Sequence, residues 1–401
     1  MRSSVKRGVA AMAAAMALAA MWAQWAVAQE KKESDCIVCH RMVTPGVVKD
    51  WEAGKMSESL DCDVCHGEHT GPDDIDKLKM PSAKDCGMCH SDQAEQFGEG
   101  KHALAWAAME AMPRTAHQPG PIIGGMKGCG GCHRMGKDGG KCDSCHTRHK
   151  FDPNEARQPL ACNTCHMGFD HPQYEMWSTS KHGIIHQLEP TTGRAPTCQH
   201  CHMQKGNHRV MTSWGFLAVR LPEADEGWMA DRAVILKGLG VLDPQGNPTA
   251  RLDAVKAAKV ARLTAEEWQA ERDKMTDICR QCHSTRHVNE HLGAGDQLIR
   301  EADRLMAEAI GTVAKLYDEK IIEPQPYQPF AYPDILNFYD ARTPVEQTLY
   351  EMFMEHRMRT FQGAFHMNPD YQHWYGWAPM NKDLADIRAE AEQMRADRKA
   401  P

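Results

Sequence analysis

Sixteen cysteines lie in this chain of 401 residues, and each belongs to a Cys-x-x-Cys pair followed at once by histidine. The sets are Cys36, Cys39 and His40; Cys62, Cys65 and His66; Cys86, Cys89 and His90; Cys129, Cys132 and His133; Cys142, Cys145 and His146; Cys162, Cys165 and His166; Cys198, Cys201 and His202; and Cys279, Cys282 and His283. Two thiols at this spacing can add to the two vinyl groups of one haem, and the adjoining imidazole then lies under the ring and binds its iron. Eight disulfides would suit an exported chain but would not require a histidine after every second cysteine. Zinc accepts both residue types, yet a histidine directly beside a ligating cysteine reaches the same ion poorly. With no cysteine left over, the pattern predicts eight covalently bound haem c groups.

Of the 22 histidines, fourteen stand outside these motif positions, and eight irons can take at most eight of them as distal ligands. His69, His149, His208 and His287 sit in short polar frames after a motif: CHGEH, CHTRH, CHMQKGNH and CHSTRH. His102 and His182 each follow a lysine at the start of an expected helix, and His117 falls in the long third gap. These seven are the expected distal ligands. An iron held by two side chains has no vacancy and only passes electrons. Seven candidates for eight irons suggest one open iron, although His186, His291, a methionine or a lysine could fill the last position. His200 lies inside a motif, points away from its own ring and reads as a surface residue. In CNTCHMGFDHPQ, His171 follows Asp170; it could ligate a neighbouring iron, cap a turn or face a substrate.

The elements that must position these groups change along the chain. Seven motifs lie between Cys36 and His202, separated by Gly-, Pro-, Lys- and Asp-rich stretches such as KDGGKCDSC. Such stretches read as loops and short helices wrapped around porphyrins, which take the place of a Leu/Val/Ile core. From about Asp253 the pattern turns helical. RLDAVKAAKVARLTAEEWQAERDKMTDIC comes first, and GDQLIREADRLMAEAIGTVAKLYDEKI carries Leu298, Ile299, Leu305, Met306, Ile310, Val313 and Leu316 on one stripe. TPVEQTLYEMFMEHRMRTFQGAF follows with a proline in its first turn, then a charged final helix. The expected fold is mostly α, a multihaem cytochrome c with a haem-packed N-terminal half and long C-terminal helices. The expected divisions are 1–28, a signal peptide; 29–215, with seven motifs; and 216–401, with the eighth. The long apolar stripes also predict self-association.

The first 28 residues have a basic start, an Ala/Met-rich run and Ala26-Val27-Ala28 at the close, the pattern of a cleaved secretory leader. A periplasmic location is expected. The net charge of −7 disfavours nucleic acid as a partner.

The chain resembles the octahaem hydroxylamine oxidoreductases and their nitrite-reducing relatives. The eight motifs carry the likeness, together with CHMGFDHPQYEMWSTSKHG (Cys165–Gly183) and AFHMNPDYQHWYGWAP (Ala364–Pro379). The resemblance implies that the fourth haem, on Cys129, Cys132 and His133, is catalytic and has no distal protein ligand. It also implies that Asp170 and His171 line its open face, with His171 donating protons, and that the assembly is a homotrimer. Hydroxylamine-oxidising members tie the catalytic haem to a tyrosine from a neighbouring subunit. Here the corresponding stretch, HRMRTFQGAF, has Phe361 and Phe365 and no tyrosine; Tyr350 and Tyr339 come next upstream. The likeness therefore points to a member without the cross-link, reducing nitrite and hydroxylamine with electrons from a cytochrome or quinol-linked donor. Hydroxylamine or hydrazine oxidation at the same haem, and a non-catalytic electron-transfer cytochrome, are the alternatives.

Overall fold

A computed structural model describes residues 33–110, 128–215, 217–219, 224–337 and 340–399. The expected leader, His117 and Tyr339 lie outside the described residues. Within them the chain is helical, with one isolated antiparallel bridge between Leu242 and Pro248 and no strand. The mostly α expectation holds.

Most motifs form a single helical turn, as at Cys62–His66, Gly130–His133 and Cys198–His202. The reason is the spacing. Positions i, i+3 and i+4 share one face of a helix, so one turn presents both sulfurs and the imidazole to the same side. The turn is closed by the histidine N–H donating to the first cysteine's carbonyl, at 3.0 Å for His133 and Cys129.

Two compact units form. One comprises residues up to Met80 with Arg148–Phe151; the other comprises Pro81–Thr147 and everything from Asp152 onward. The boundary expected at 215/216 is a different division, one that follows the fall in motif density.

In the second unit the helices that matter are α1 (Gln173–Ser178), α2 (Lys181–Leu188), α3 (Glu226–Gly238), α4 (Ala265–Arg280), α5 (Thr285–Asp318), α6 (Pro344–Glu351), α7 (Met358–Phe365) and α8 (Ala378–Lys399). The polypeptide's own core lies here. Ile299, Leu305, Met306, Ile310, Val313 and Leu316 of α5 are buried, and Leu298 is half-buried. Ile235 and Leu236 of α3, Leu349 of α6, and Leu384 and Ile387 of α8 join the same cluster.

Local chemistry sets the breaks. Pro344 opens α6, and Thr343 and Glu346 form a capping box around it. The helix expected from Asp253 is split: Lys259 takes a left-handed conformation (φ 48°), and Thr264 with Glu267 starts α4 afresh. Between α6 and α7 the chain widens into a π turn, Met352–Arg357, and a second π turn, His373–Trp377, precedes α8. No helix of the described residues is long and apolar enough to cross a membrane.

Candidate haem and active site

Five of the eight motif histidines are oriented through Nδ1. His66 donates to the carbonyl of Lys79 at 3.0 Å, His133 to Ala105 at 2.8 Å and His202 to Met211 at 2.9 Å. His40 bonds to the Thr44 hydroxyl at 2.8 Å, and His166 to the side-chain amide oxygen of Gln173 at 2.9 Å. Once Nδ1 carries the proton, Nε2 keeps its lone pair for a metal.

Six pairs of imidazoles face one another. The ring centroids are 5.9 Å apart for His40 and His69, 6.1 Å for His66 and His149, and 6.1 Å for His102 and His166. They are 6.1 Å apart for His146 and His208, 6.0 Å for His182 and His283, and 6.4 Å for His202 and His366. Two imidazoles that share one metal, each about 2 Å from it, place their centroids roughly 6 Å apart. Burial, with neighbouring imidazoles adding to it, pushes His102 and His366 down to about 4. Both rings are therefore neutral at physiological pH, the form that binds a metal. The donor set fits haem iron.

The pairing runs out of step with the sequence. His69, three residues after His66, faces His40; His149, three after His146, faces His66; His208, after His202, faces His146. In each case the histidine that follows one motif faces the histidine of another. His287 shows the limit of this rule. It stacks on His283 at 4.7 Å, and His182 takes the position across from that ring. The distal role expected of His287 is therefore not supported by its place on α5. His366 stands across from His202 without having been singled out; the only sequence signal was its place in AFHMNPDY. His200 is exposed, as expected, and His186 packs on Trp177 at 5.4 Å.

His90 and His133 face no second imidazole among the described residues. Beside His133's motif stands the expected acidic pair. His171 Nδ1 bonds to Asp170 Oδ1, and its Nε2 donates to the Cys165 carbonyl at 2.8 Å. Burial works against charge on this ring, but the Asp170 carboxylate and the Cys165 carbonyl outweigh it and raise the His171 pKa. Asp170 also faces the fourth motif: burial pushes the Cys129 thiol up, and the Asp170 charge adds to that shift. Gly168 makes room for the pair, since a Cβ there would come within 2.5 Å of the His171 ring. Thus the structure brings Asp170, His171 and the fourth motif together, with both nitrogens of His171 engaged.

The motifs also touch through sulfur. The free thiols of Cys132 and Cys165, of Cys86 and Cys142, and of Cys162 and Cys198 lie close enough for one of each pair to shift the other's pKa. Cys201 feels the charge of Cys279. The attachment points of motifs four, six, seven and eight thus form a connected series.

Comparison with known proteins agrees with this picture. Residues 32–192 match a family model described as seven times multi-haem cytochrome CxxCH. A probable nitrite reductase-hydroxylamine oxidoreductase fusion protein of Kuenenia stuttgartiensis is 28% identical over 454 residues, covering 91% of this chain. The chain spans about half of that relative's length, 52%. A chain of the reducing HAO-like protein complex of Kuenenia stuttgartiensis superposes with a TM-score of 0.71 at 24% identity, covering 90% of this chain and 85% of that one. A hypothetical multiheme protein superposes with a TM-score of 0.68 at 21% identity, covering 94% and 99%. The two structural likenesses establish the fold.

Proposed function

We propose that this chain, a multihaem c-type cytochrome related to hydroxylamine-oxidoreductase-like proteins, is an octahaem enzyme that reduces nitrite, and hydroxylamine, at one open haem. The observation that carries this reading is the contrast at His133: six motif histidines face a second imidazole, whereas His133 faces none among the described residues and has Asp170 and His171 beside its motif. In this reading His69, His149, His208, His102, His366 and His182 are the distal ligands opposite His40, His66, His146, His166, His202 and His283. His117, expected for the haem at His90, lies outside the described residues. The Kuenenia relative is named as a fusion of a nitrite reductase with a hydroxylamine oxidoreductase, and the solved complex is described as reducing, which supports the reductive reading.

Cys129, Cys132 and His133 would hold a haem, which would supply redox-active iron chemistry for a nitrogen–oxygen substrate with electrons drawn from the external donor. The chain's own residues manage protons, which every step of nitrogen–oxygen reduction consumes. His171 holds a proton on Nδ1 against Asp170 Oδ1. The Cys165 carbonyl fixes the ring through Nε2, so the proton available for transfer is the one shared with Asp170. Asp170 faces the fourth motif and passes that proton on. A periplasmic location, a homotrimer and a cytochrome or quinol-linked donor belong to the same reading.

One observation favours the oxidative alternative. Tyr350 packs 6.2 Å from Phe169, next to Asp170. The deciding experiment is electron paramagnetic resonance of the purified protein with nitrite assays driven by reduced viologen, on the native chain and on His171→Ala. Expected are one high-spin haem, nitrite-dependent viologen oxidation, and turnover reduced by about 10²- to 10⁴-fold in the variant. Eight low-spin haems and no turnover would leave a pure electron carrier; a haem peptide bearing Tyr350 would select oxidation.

A further inference from the structure

Gln362 is buried on α7, far in sequence from any motif, yet its atoms reach three of the groups described above. Its Nε2 donates to the Asp170 carbonyl at 3.0 Å. Its Oε1 accepts from Gln173 Nε2 at 3.1 Å. Its own carbonyl accepts from His366 Nδ1 at 2.8 Å. Gln173 in turn offers Oε1 to His166 Nδ1 at 2.9 Å.

The order of donors and acceptors along this path is forced. A main-chain carbonyl can only accept, so the Asp170 carbonyl turns the Gln362 NH₂ toward itself and leaves the Gln362 oxygen for Gln173. Gln173 must then present its NH₂ to Gln362, which leaves its oxygen for His166. An amide oxygen only accepts, so His166 must carry its proton on Nδ1, and Nε2 is left bare. Reversing either amide would set two donors or two acceptors face to face and leave hydrogen bonds unmade in a buried place.

We propose that Gln362 and Gln173 are positioning residues, a two-amide relay that fixes the tautomer of His166 and sets the reduction potential of the haem at Cys162 and Cys165. The relay ties that haem to the main chain of the Asp170–His171 pair. The haem at Cys162 and Cys165 neighbours the substrate haem through the Cys132–Cys165 contact, so it delivers the electron while the same amides hold the proton-handling loop. Potential follows hydrogen bonding to the ligand: a stronger acceptor on Nδ1 makes the imidazole more basic and favours ferric iron.

This inference rests on iron ligation by His166 and not on the identity of the substrate. Its test uses the haem-loaded full chain, with haem content measured for every variant and spectroelectrochemical titration as the readout. Gln173→Glu places a carboxylate on His166 Nδ1. One low-spin haem is expected to become tenfold harder to reduce, about 59 mV for one electron. Gln173→Leu removes the acceptor and is expected to move the same haem the opposite way. Gln362→Leu frees the Gln173 amide to rotate and is expected to split that haem's low-spin resonance in two. Because Gln362 is buried, the half-buried Gln173 variants decide if Gln362→Leu loses haem. Unchanged potentials and resonances in fully loaded Gln173→Glu would overturn the relay. A shifted potential without any nitrite turnover would uphold the relay and remove the enzymatic reading instead.

Discussion

In the proposed function His171 is the proton carrier, and its affinity is set against its surroundings. Burial alone would strip its charge, and Asp170 more than compensates. A raised pKa means the protonated ring persists above the ordinary imidazole value of roughly 6.5 and is lost as pH rises through the raised one. Turnover limited by this proton should therefore hold on the acid side and fall across that range. Asp170→Asn removes the compensating charge, so the basic limb of the pH–rate profile should move to lower pH, measured by viologen oxidation with nitrite. At this scale much of the site was legible. The attachment residues follow from sequence, and Asp170 and His171 were found through a resemblance. Five of the histidines expected as distal ligands do face a motif imidazole, but which one they face was not legible, because local frames reveal only proximity in the chain. His366 was hidden for a different reason: it joins His202 from a helix more than 160 positions away, and His287 offered a nearer decoy.

The helices carry a charged knot where an apolar contact might be expected. Asp303 on α5 is fully buried and accepts from Arg357 Nη2 at 2.7 Å, from Arg232 Nε at 3.1 Å and from Trp228 Nε1 at 2.7 Å. It joins α3, α5 and the first π turn, and Arg357 goes on to the Leu217 carbonyl at 2.8 Å. Burial favours the neutral acid, but the two guanidiniums win and hold the Asp303 pKa below the usual carboxylate range. Its stabilisation is therefore complete above about pH 3.9 and is lost as pH falls through the depressed value. Asp303→Asn leaves two buried cations under-compensated and should cost about 3–5 kcal/mol, read as a lower urea midpoint at neutral pH. The apolar stripe of α5 and the proline start of α6 were plain in the sequence. The break at Lys259 was not, since nothing about an Ala-Lys-Val run demands a left-handed residue. The π turns were not either, because they arise from packing and not from propensity.

Among the described residues, the main clusters of buried apolar side chains draw on residues from Trp214 onward, while the region with seven motifs contributes scattered buried ones such as Ile37, Val48 and Ala83. The density of motifs predicts that stability of this region depends on covalent haem. Chain made without haem attachment should exchange its amide hydrogens rapidly over residues 33–215, whereas α5 and α8 should stay protected by mass spectrometry. Equal protection of both regions would show that the polypeptide packs unaided. The anchors of the imidazole rings have a separate consequence. Those from Lys79, Ala105, Met211, Gly71 and Gln362 are main-chain oxygens, which no substitution deletes. The haems that His66, His133 and the His202–His366 pair would hold are thus hard to retune one codon at a time, and adaptation to a donor of different driving force is channelled through the side chains of Thr44 and Gln173.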